Sequence, residues 1–98
     1  MIRRAASEDP SLVHVTYAVP ADMHDADVYL VGDFNDWDRD ATPLVPDDEG
    51  MLTVTLDLDA GRQYAFRYRT KDGRWFNDES ADDYEPNEFG GSNGILTT

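Results

Sequence analysis

The sequence has 98 residues and no cysteine, so it allows one domain with one core but neither a disulfide framework nor a thiolate zinc site. Its 40% of hydrophobic residues suffices for a packed interior, but the chain is too short for a (β/α)₈ barrel, which needs about 250 residues. Twenty-one acidic against eight basic residues give a net charge of −13, which argues against nucleic acids and anionic membranes as partners.

The first residues carry no structural period. Residues 1–11 mix charges, alanine and a proline, and we expect a flexible N-terminal arm there, with the ordered domain over residues 12–98. No apolar stretch of about 7–15 residues follows the opening arginines, and no run approaches the roughly 20 residues of a membrane span. We therefore expect a cytoplasmic protein. Its sixteen aspartates and single lysine fit a salt-adapted cytoplasm and equally an acidic mesophilic protein.

The first half of the domain predicts two strands and a loop. Residues 12–19 alternate between apolar and polar side chains, which is the period of a strand with one buried face, and Pro20 ends it. The unbroken apolar run 28–31 predicts a central strand covered on both sides and closed by Gly32. Residues 33–46 are polar and rich in turn residues, so we expect a loop with one short edge strand.

The second half predicts further short strands. Residues 51–58 alternate leucine or valine with polar side chains, and residues 64–68 place aromatic rings on one face. Residues 77–91 read as a long irregular loop, and residues 95–96 as a closing strand. Short strands separated by turns, without a helical period, predict an all-β, antiparallel sandwich of the immunoglobulin-like type.

The segment 71–73, Lys-Asp-Gly, predicts a three-residue hairpin loop with glycine in the left-handed position. That geometry pairs Tyr68 with Phe76 and Arg69 with Trp75. Because neighbouring side chains of a strand point to opposite faces, Phe76 is expected inside and Trp75 outside.

Both tryptophans are therefore candidates for a surface site. Trp37 lies in a polar loop that Phe34 can anchor alone, and Trp75 shares a face with Arg67 and Arg69. Flat aromatic rings on a polar surface suit sugars, because the C–H face of a pyranose stacks on them while its hydroxyls find polar partners at the rim. Two rings with a few hydrogen bonds give an affinity of about micromolar to millimolar.

Five segments in a fixed order carry a resemblance to a known family. They are VYLVGDFNDW at 28–37, LDL at 56–58 before Gly61, QYAF at 63–66, DGRW at 72–75 and GGSNG at 90–94. In this combination the chain resembles carbohydrate-binding module family 48 over about residues 12–98. That family includes the glycogen-binding domain of the AMP-activated kinase β subunit and the early-set domains that precede isoamylases and branching enzymes.

The resemblance implies an early-set, immunoglobulin-like sandwich that binds α-1,4-glucan, such as glycogen, starch or a maltooligosaccharide, without catalysing a reaction. Trp37 and Trp75 match the stacking tryptophans of the family. Asn93 matches its hydrogen-bonding asparagine, and Phe89 stands where a leucine commonly inserts through the ring that a cyclic or helical glucan forms. A glucan-metabolising enzyme is a further expected partner.

Two positions depart from the family pattern. Ala65 stands in place of a sugar-contacting lysine, and Gly91 in place of a residue with a hydroxyl group. Arg67 or Arg69 could supply a cation from the same face as Ala65. The departures leave open a second function, an early-set docking domain for a glucan-active enzyme with no sugar affinity of its own.

Other chemistry finds little support in the sequence. Four aspartates are spaced somewhat like a calcium loop: Asp36, Asp38, Asp40 and Asp47. Ala41 occupies the position where that loop needs glycine, so no metal site is expected. No pair of carboxylates stands out as a glycosidase pair, and His14 and His24 lie near no nucleophile motif. We expect no catalytic residue and no cofactor.

Overall fold

Two antiparallel sheets pack against one core in the structure, a computed structural model that describes residues 1–23, 27–88 and 91–98. In this described part of the chain nine strands form the sheets: β1 Ile2–Ala6, β2 Leu12–Pro20, β3 Val28–Gly32, β4 Val45–Pro46, β5 Met51–Asp59, β6 Gln63–Thr70, β7 Trp75–Phe76, β8 Asp83–Pro86 and β9 Ser92–Thr97. Short 3₁₀ turns occupy Ala21–Met23 and Asp33–Asn35. Within these described ranges, no helix has the length and apolar character to cross a membrane.

The first sheet has the strand order β1-β2-β5-β4, and the second has the order β3-β6-β9-β8. In the second sheet β7 also pairs with β6, on the edge opposite β3 and next to β9. The core joins the inward side chains of both sheets: Val15, Tyr17, Val19, Val28, Leu30, Leu44, Leu58, Phe66, Tyr68 and Leu96. The predicted immunoglobulin-like, all-β sandwich is confirmed.

Aromatic rings connect the sheets at the centre. The Tyr17 ring of β2 meets Phe66 of β6 edge-on, with centroids 5.2 Å apart. Phe66 in turn contacts Tyr68 at 6.0 Å, and Tyr68 stacks on Phe76 at 5.1 Å. Such pairs contribute about 0.5–1.5 kcal/mol each beyond the burial of their area. Phe76 therefore points inward, as the predicted hairpin register requires.

Three expectations are corrected. The expected flexible arm over residues 1–11 includes β1, whose residues Ile2–Ala6 pair with β2 from Ile2↔Tyr17 to Ala6↔Val13. The expected irregular loop over 77–91 contains β8, which pairs with β9. Both are edge strands held by backbone hydrogen bonds, and all their side chains except Ile2 are exposed, so neither leaves an apolar period in the sequence.

The third correction concerns β3, which we expected in the centre of a sheet. It lies at the end of its sheet, paired with β6 on one side. Residues 42–44 cover its other edge, because Leu30 N donates to Thr42 O at 2.9 Å and Leu44 N donates to Val28 O at 2.9 Å. This local cover explains how an edge strand can carry an unbroken apolar run.

For two buried tyrosines of the core, we expect loss of the hydroxyl group to have opposite effects on the free energy of unfolding. The Tyr17 hydroxyl has no hydrogen-bond partner among the described residues, whereas the Tyr68 hydroxyl donates to Asp78 Oδ2 at 2.6 Å. A buried polar group without a partner costs about 1–3 kcal/mol. We expect Tyr17→Phe to raise the free energy of unfolding by about 1 kcal/mol and Tyr68→Phe to lower it by about 1–3 kcal/mol. Urea denaturation measures both, and equal effects of the two variants would contradict this interpretation.

Asp78 is a buried carboxylate with several donors. Burial raises its pKa, but the Tyr68 hydroxyl, the Ser80 amide N–H and the Met1 amino group together hold the pKa below its ordinary value. A folded-state pKa below the unfolded one stabilises the fold above the unfolded value of about 3.9, and the stabilisation is lost as the pH falls through the folded pKa.

Asp78 should therefore make unfolding dependent on acid pH. We expect the stability difference between the wild type and Asp78→Asn to be constant near neutral pH and to shrink below about pH 4. Asp48, an exposed aspartate, provides the matched control, since Asp48→Asn should follow the wild type throughout. Urea midpoints measured across this pH range test the expectation, and a difference that stays constant into acid would contradict it.

Candidate functional site

A cavity of about 700 Å³ opens on the outer face of the second sheet. Its described lining combines two indole rings with amide and charged side chains: Asp33, Trp37, Arg39, Ala65, Arg67, Trp75, Glu85, Asn87, Glu88 and Asn93. The volume falls within the range of about 300–1,000 Å³ that is usual for ligand sites. The cavity is therefore large enough for several sugar rings.

Strand alternation explains why these residues share one face. In β6, Tyr64, Phe66 and Tyr68 point to the core, so Ala65 and Arg67 point outward. Ala65 is paired with Ile95 of β9, which puts Asn93, two residues earlier, on the same face. Glu85 of β8 lies opposite Asn93. The sheet thus forms the floor of the cavity.

The loop after β3 carries Trp37 to the rim. Phe34 anchors this loop, as predicted, since its ring lies 5.9 Å from that of Tyr17 and 6.2 Å from that of Tyr64. The Asn35 side chain closes the turn: its Oδ1 accepts from Gly32 N at 3.0 Å, and its Nδ2 donates to Leu30 O at 2.9 Å.

The backbone at the end of this turn adopts an uncommon conformation. Asp36 and Trp37 have φ values of +56° and +59°, in the left-handed region that side chains other than glycine seldom adopt. Trp37 N donates to Gly32 O at 2.9 Å, which holds the turn in that form. Backbone strain of this kind concentrates at functional sites. The backbone is thus strained at the position that carries the Trp37 ring, and this ring is half-buried.

The Trp37 ring has a defined polar partner. Its indole N–H donates to Asp33 Oδ1 at 2.9 Å, and Asp33 Oδ2 accepts from the backbone N–H of Ala65 at 2.7 Å. One carboxylate therefore connects the loop, the indole ring and the floor of the cavity.

The β6–β7 hairpin presents Trp75. Its register, Tyr68↔Phe76 and Arg69↔Trp75, is the predicted one, and Gly73 is left-handed with φ +94°. The Thr70 hydroxyl donates to Asp72 within the loop, and this bond lowers the pKa of the Asp72 carboxyl. Trp75 is 37% exposed, so a large apolar ring faces outward from the hairpin.

Two guanidinium groups lie against the Trp75 ring. The Cζ atoms of Arg67 and Arg69 are 5.6 Å and 6.0 Å from its centroid, which is within the range of cation–π contact. Arg67 Nε also donates to Asn77 Oδ1 at 3.2 Å, and Asn77 Nδ2 donates to Ser92 O at 3.0 Å. These contacts hold Arg67 between the Trp75 ring and β9.

The amide group of Asn93 is oriented by a neighbour. Asn87 Nδ2 donates to Asn93 Oδ1 at 3.2 Å, while Asn87 Oδ1 accepts from Gly91 N at 3.1 Å. Its oxygen is already an acceptor in this network, and within residues 1–23, 27–88 and 91–98 no group accepts from its two amide hydrogens, which can therefore be offered to the cavity.

The structure brings four sequence-predicted residues around one cavity: Trp37, Trp75, Arg67 and Asn93. Arg69 is absent from the described lining but contacts the Trp75 ring. Phe89 and His24 lie outside the described residues.

Five of the described lining residues were not predicted from the sequence: Asp33, Arg39, Glu85, Asn87 and Glu88. Four of the five are charged, in a chain where charged residues make up 30% of the sequence, so residue type alone could not single them out.

Among the described residues, no group of three or more histidine, cysteine or acidic side chains is arranged to hold a metal ion. Two of the aspartates spaced like a calcium loop instead bond to backbone nearby. Asp38 Oδ1 accepts from Asp40 N at 2.9 Å, and Asp47 Oδ1 accepts from Glu49 N at 2.8 Å.

Comparison with protein families assigns this architecture. A scan against family models matches carbohydrate-binding module 48, described as the isoamylase N-terminal domain, over residues 13–86. The chain belongs to carbohydrate-binding module family 48. A search among curated proteins found no match.

Family membership makes the chain a carbohydrate-binding module, a kind of domain that is not catalytic by itself. The matched span of the module includes Trp37 and Trp75 and ends before Asn93. Asn93 is nevertheless joined to the matched part, because Glu85 pairs with it and Asn87 bonds to its side chain.

Proposed function

We propose that this module binds α-glucan, such as glycogen, starch or maltooligosaccharides, in the cavity between Trp37 and Trp75, and that it does so without catalysing a reaction. The observation that carries the proposal is that both indole rings line one concave surface, although 38 positions separate them in the sequence. Binding of this kind would tether the module, or a glucan-metabolising enzyme associated with it, to storage polysaccharide.

The chemistry of the rings supports a sugar ligand. An indole offers a flat apolar face to the C–H face of a pyranose, and each stack contributes on the order of 1 kcal/mol beyond the burial of its apolar area, by analogy with aromatic pairs. Trp37 is half-buried and Trp75 is 37% exposed, so each ring has a buried part that fixes it and an open part that can stack. Two stacks with a few hydrogen bonds correspond to an affinity of about micromolar to millimolar.

The rim of the cavity supplies both kinds of hydrogen-bond partner for hydroxyl groups. Arg39, Arg67 and the amide hydrogens of Asn93 are donors, and Glu85 and Glu88 are acceptors. Sugar hydroxyls both donate and accept, so a mixed rim suits them better than a rim of one charge.

The concave shape favours an α-linked chain. An α-1,4-glucan curves along its length, whereas a β-1,4-glucan is an extended ribbon that suits a flat row of rings. A cavity of about 700 Å³ with a ring from the loop after β3 and a second ring from the β6–β7 hairpin accommodates a curved segment.

A docking module for a glucan-active enzyme, without sugar affinity, is the second candidate. Two observations favour it: Ala65 supplies no cation at the floor of the cavity, and Gly91 supplies no hydroxyl group beside it. Arg67 compensates in part, because its Nη1 atom lies 3.5 Å from the position that a Cβ atom of residue 91 would occupy.

Titration with maltoheptaose while following tryptophan fluorescence distinguishes the two candidates. We expect saturable quenching with a dissociation constant of about micromolar to millimolar, and no response to cellohexaose, a chain of six glucose units in β-linkage. Val45→Ala, which truncates an exposed apolar side chain on the other sheet, should bind as the wild type does. A flat maltoheptaose titration of the folded protein at millimolar sugar would favour the docking module instead.

A further inference from the structure

We propose that Asp33 is the positioning residue of the Trp37 ring: its carboxylate ties the indole N–H to the backbone of β6 and thereby sets the angle at which the ring faces the cavity. This inference rests on the proposed function, because it assigns Asp33 a role in that same site.

The geometry of the carboxylate is that of a bridge. Asp33 Oδ1 accepts from Trp37 Nε1 at 2.9 Å and Asp33 Oδ2 accepts from Ala65 N at 2.7 Å, so each oxygen has a different donor. Ala65 belongs to β6, a strand paired with β3 on one edge and with β7 and β9 on the other. Through Asp33, the Trp37 ring is thus held by hydrogen bonds to the most extensively paired strand of its sheet and not by its own loop alone.

The chemistry of the bridge suits a carboxylate. Both partners are N–H donors, and each bonds to a different oxygen of Asp33, so the bridge uses two acceptor atoms. An amide offers one acceptor oxygen and would turn its NH₂ group toward the other donor, and a serine hydroxyl is too short to reach both. Hydrogen bonds to an ionised acceptor are also shorter and stronger than neutral ones.

The consequence for binding is preorganisation. The Trp37 backbone, at φ +59°, fixes where the side chain begins but not how the ring turns about its own bonds. A ring that must be ordered when a ligand arrives lowers the affinity, and a ring held in place beforehand avoids that loss. Asp33 contacts the ring through its N–H edge, which leaves the ring faces available for stacking.

Asp33→Asn tests the bridge, with Asp36→Asn as the matched control. Asp36 lies in the same turn, and substituting it removes the same charge. Its backbone is left-handed, a conformation that asparagine tolerates. We expect Asp33→Asn to weaken maltoheptaose binding about tenfold, which is about 1.4 kcal/mol, because the freed Trp37 ring must then be ordered when the sugar binds. Asp36→Asn should bind as the wild type does. Equal affinities for Asp33→Asn and Asp36→Asn would overturn the proposal.

A double-substitution cycle separates positioning from a general effect on folding. Trp37→Phe keeps a ring and removes the indole N–H, so Asp33 then has no ring partner. In that background we expect Asp33→Asn to change the affinity less than about twofold. A further tenfold loss there would show that Asp33 acts through the fold and not through Trp37.

The indole N–H signal of Trp37 tests the bridge without any sugar. In ¹H–¹⁵N spectra we expect this signal to move upfield and to exchange faster with water in Asp33→Asn, and to stay in place in Asp36→Asn. An unchanged signal in Asp33→Asn would overturn the positioning role. If wild-type protein binds no maltoheptaose, the proposed function is wrong. The bridge is tested separately, by whether the indole N–H signal changes in Asp33→Asn.

Discussion

Trp75→Ala is expected to weaken maltoheptaose binding by about ten- to a hundredfold, because it removes a stacking surface worth about 1.5–3 kcal/mol of apolar burial. The fold should persist, since Trp75 is 37% exposed and β7 pairs with β6 through its backbone. Isothermal titration calorimetry measures the affinity. Trp37→Ala should weaken binding comparably, because both rings line the same cavity.

Two results would oppose this account of the rings. Val45→Ala, on the other sheet, is the control for loss of an exposed apolar side chain and should leave the affinity unchanged. A Trp75→Ala variant that is folded and binds as tightly as the wild type would place the sugar elsewhere. A loss in only one of the two tryptophan variants would show that a single ring carries the stacking.

Gly32→Ala is expected to cause the largest loss of stability. A Cβ atom there would lie 2.5 Å from the carbonyl oxygen of Ala65 and 2.9 Å from Phe66 Cβ, which is closer than real Cβ atoms approach other atoms. The first of these neighbours is backbone of β6 and cannot yield cheaply. We expect the free energy of unfolding to fall by about 3 kcal/mol, which lowers Tm by more than about 10 °C in a domain of this size.

Two other glycines provide graded controls. Gly94→Ala meets Phe66 Cζ at 3.2 Å, a contact that a small side-chain shift can relieve, so its loss should be smaller. Gly50→Ala meets no atom within 4 Å but has φ +78°, so it should cost only about 1 kcal/mol of backbone strain. Thermal melts rank the three variants, and a Gly32→Ala variant as stable as Gly50→Ala would contradict the close packing of the loop on β6.

The features that could be predicted from sequence are those with local causes. The β6–β7 hairpin follows from a three-residue loop with glycine, and this loop determines which residues pair and therefore that Trp75 faces outward. Phe34 is predictable as the anchor of its loop because it is the other aromatic residue there. Trp37 and Trp75 followed as candidates for one site once both were expected on the surface.

The edge strands β1 and β8 escaped prediction for a common reason. Their pairing is made by backbone atoms, and all their side chains except that of Ile2 are exposed. A strand is predicted from the regular spacing of its buried apolar side chains, so a strand that buries almost none of them cannot be predicted in this way.

The supporting residues of the site escaped prediction for a different reason. Asp33 bonds to Ala65, 32 positions away, and Arg67 and Asn77 are joined only after the chain turns at the hairpin. Such partners become visible only when the register of the sheet is known. With 21 acidic residues in the chain, no single carboxylate draws attention before the fold is known.

The most direct test of the glucan site is a ¹H–¹⁵N titration of the wild-type protein with maltoheptaose. The account predicts that the indole N–H signals of Trp37 and Trp75 and the side-chain amide of Asn93 shift together with one dissociation constant, while signals of β1 and β4 stay in place. Absence of shifts at millimolar sugar, or shifts confined to the sheet that contains β1 and β4, would contradict it.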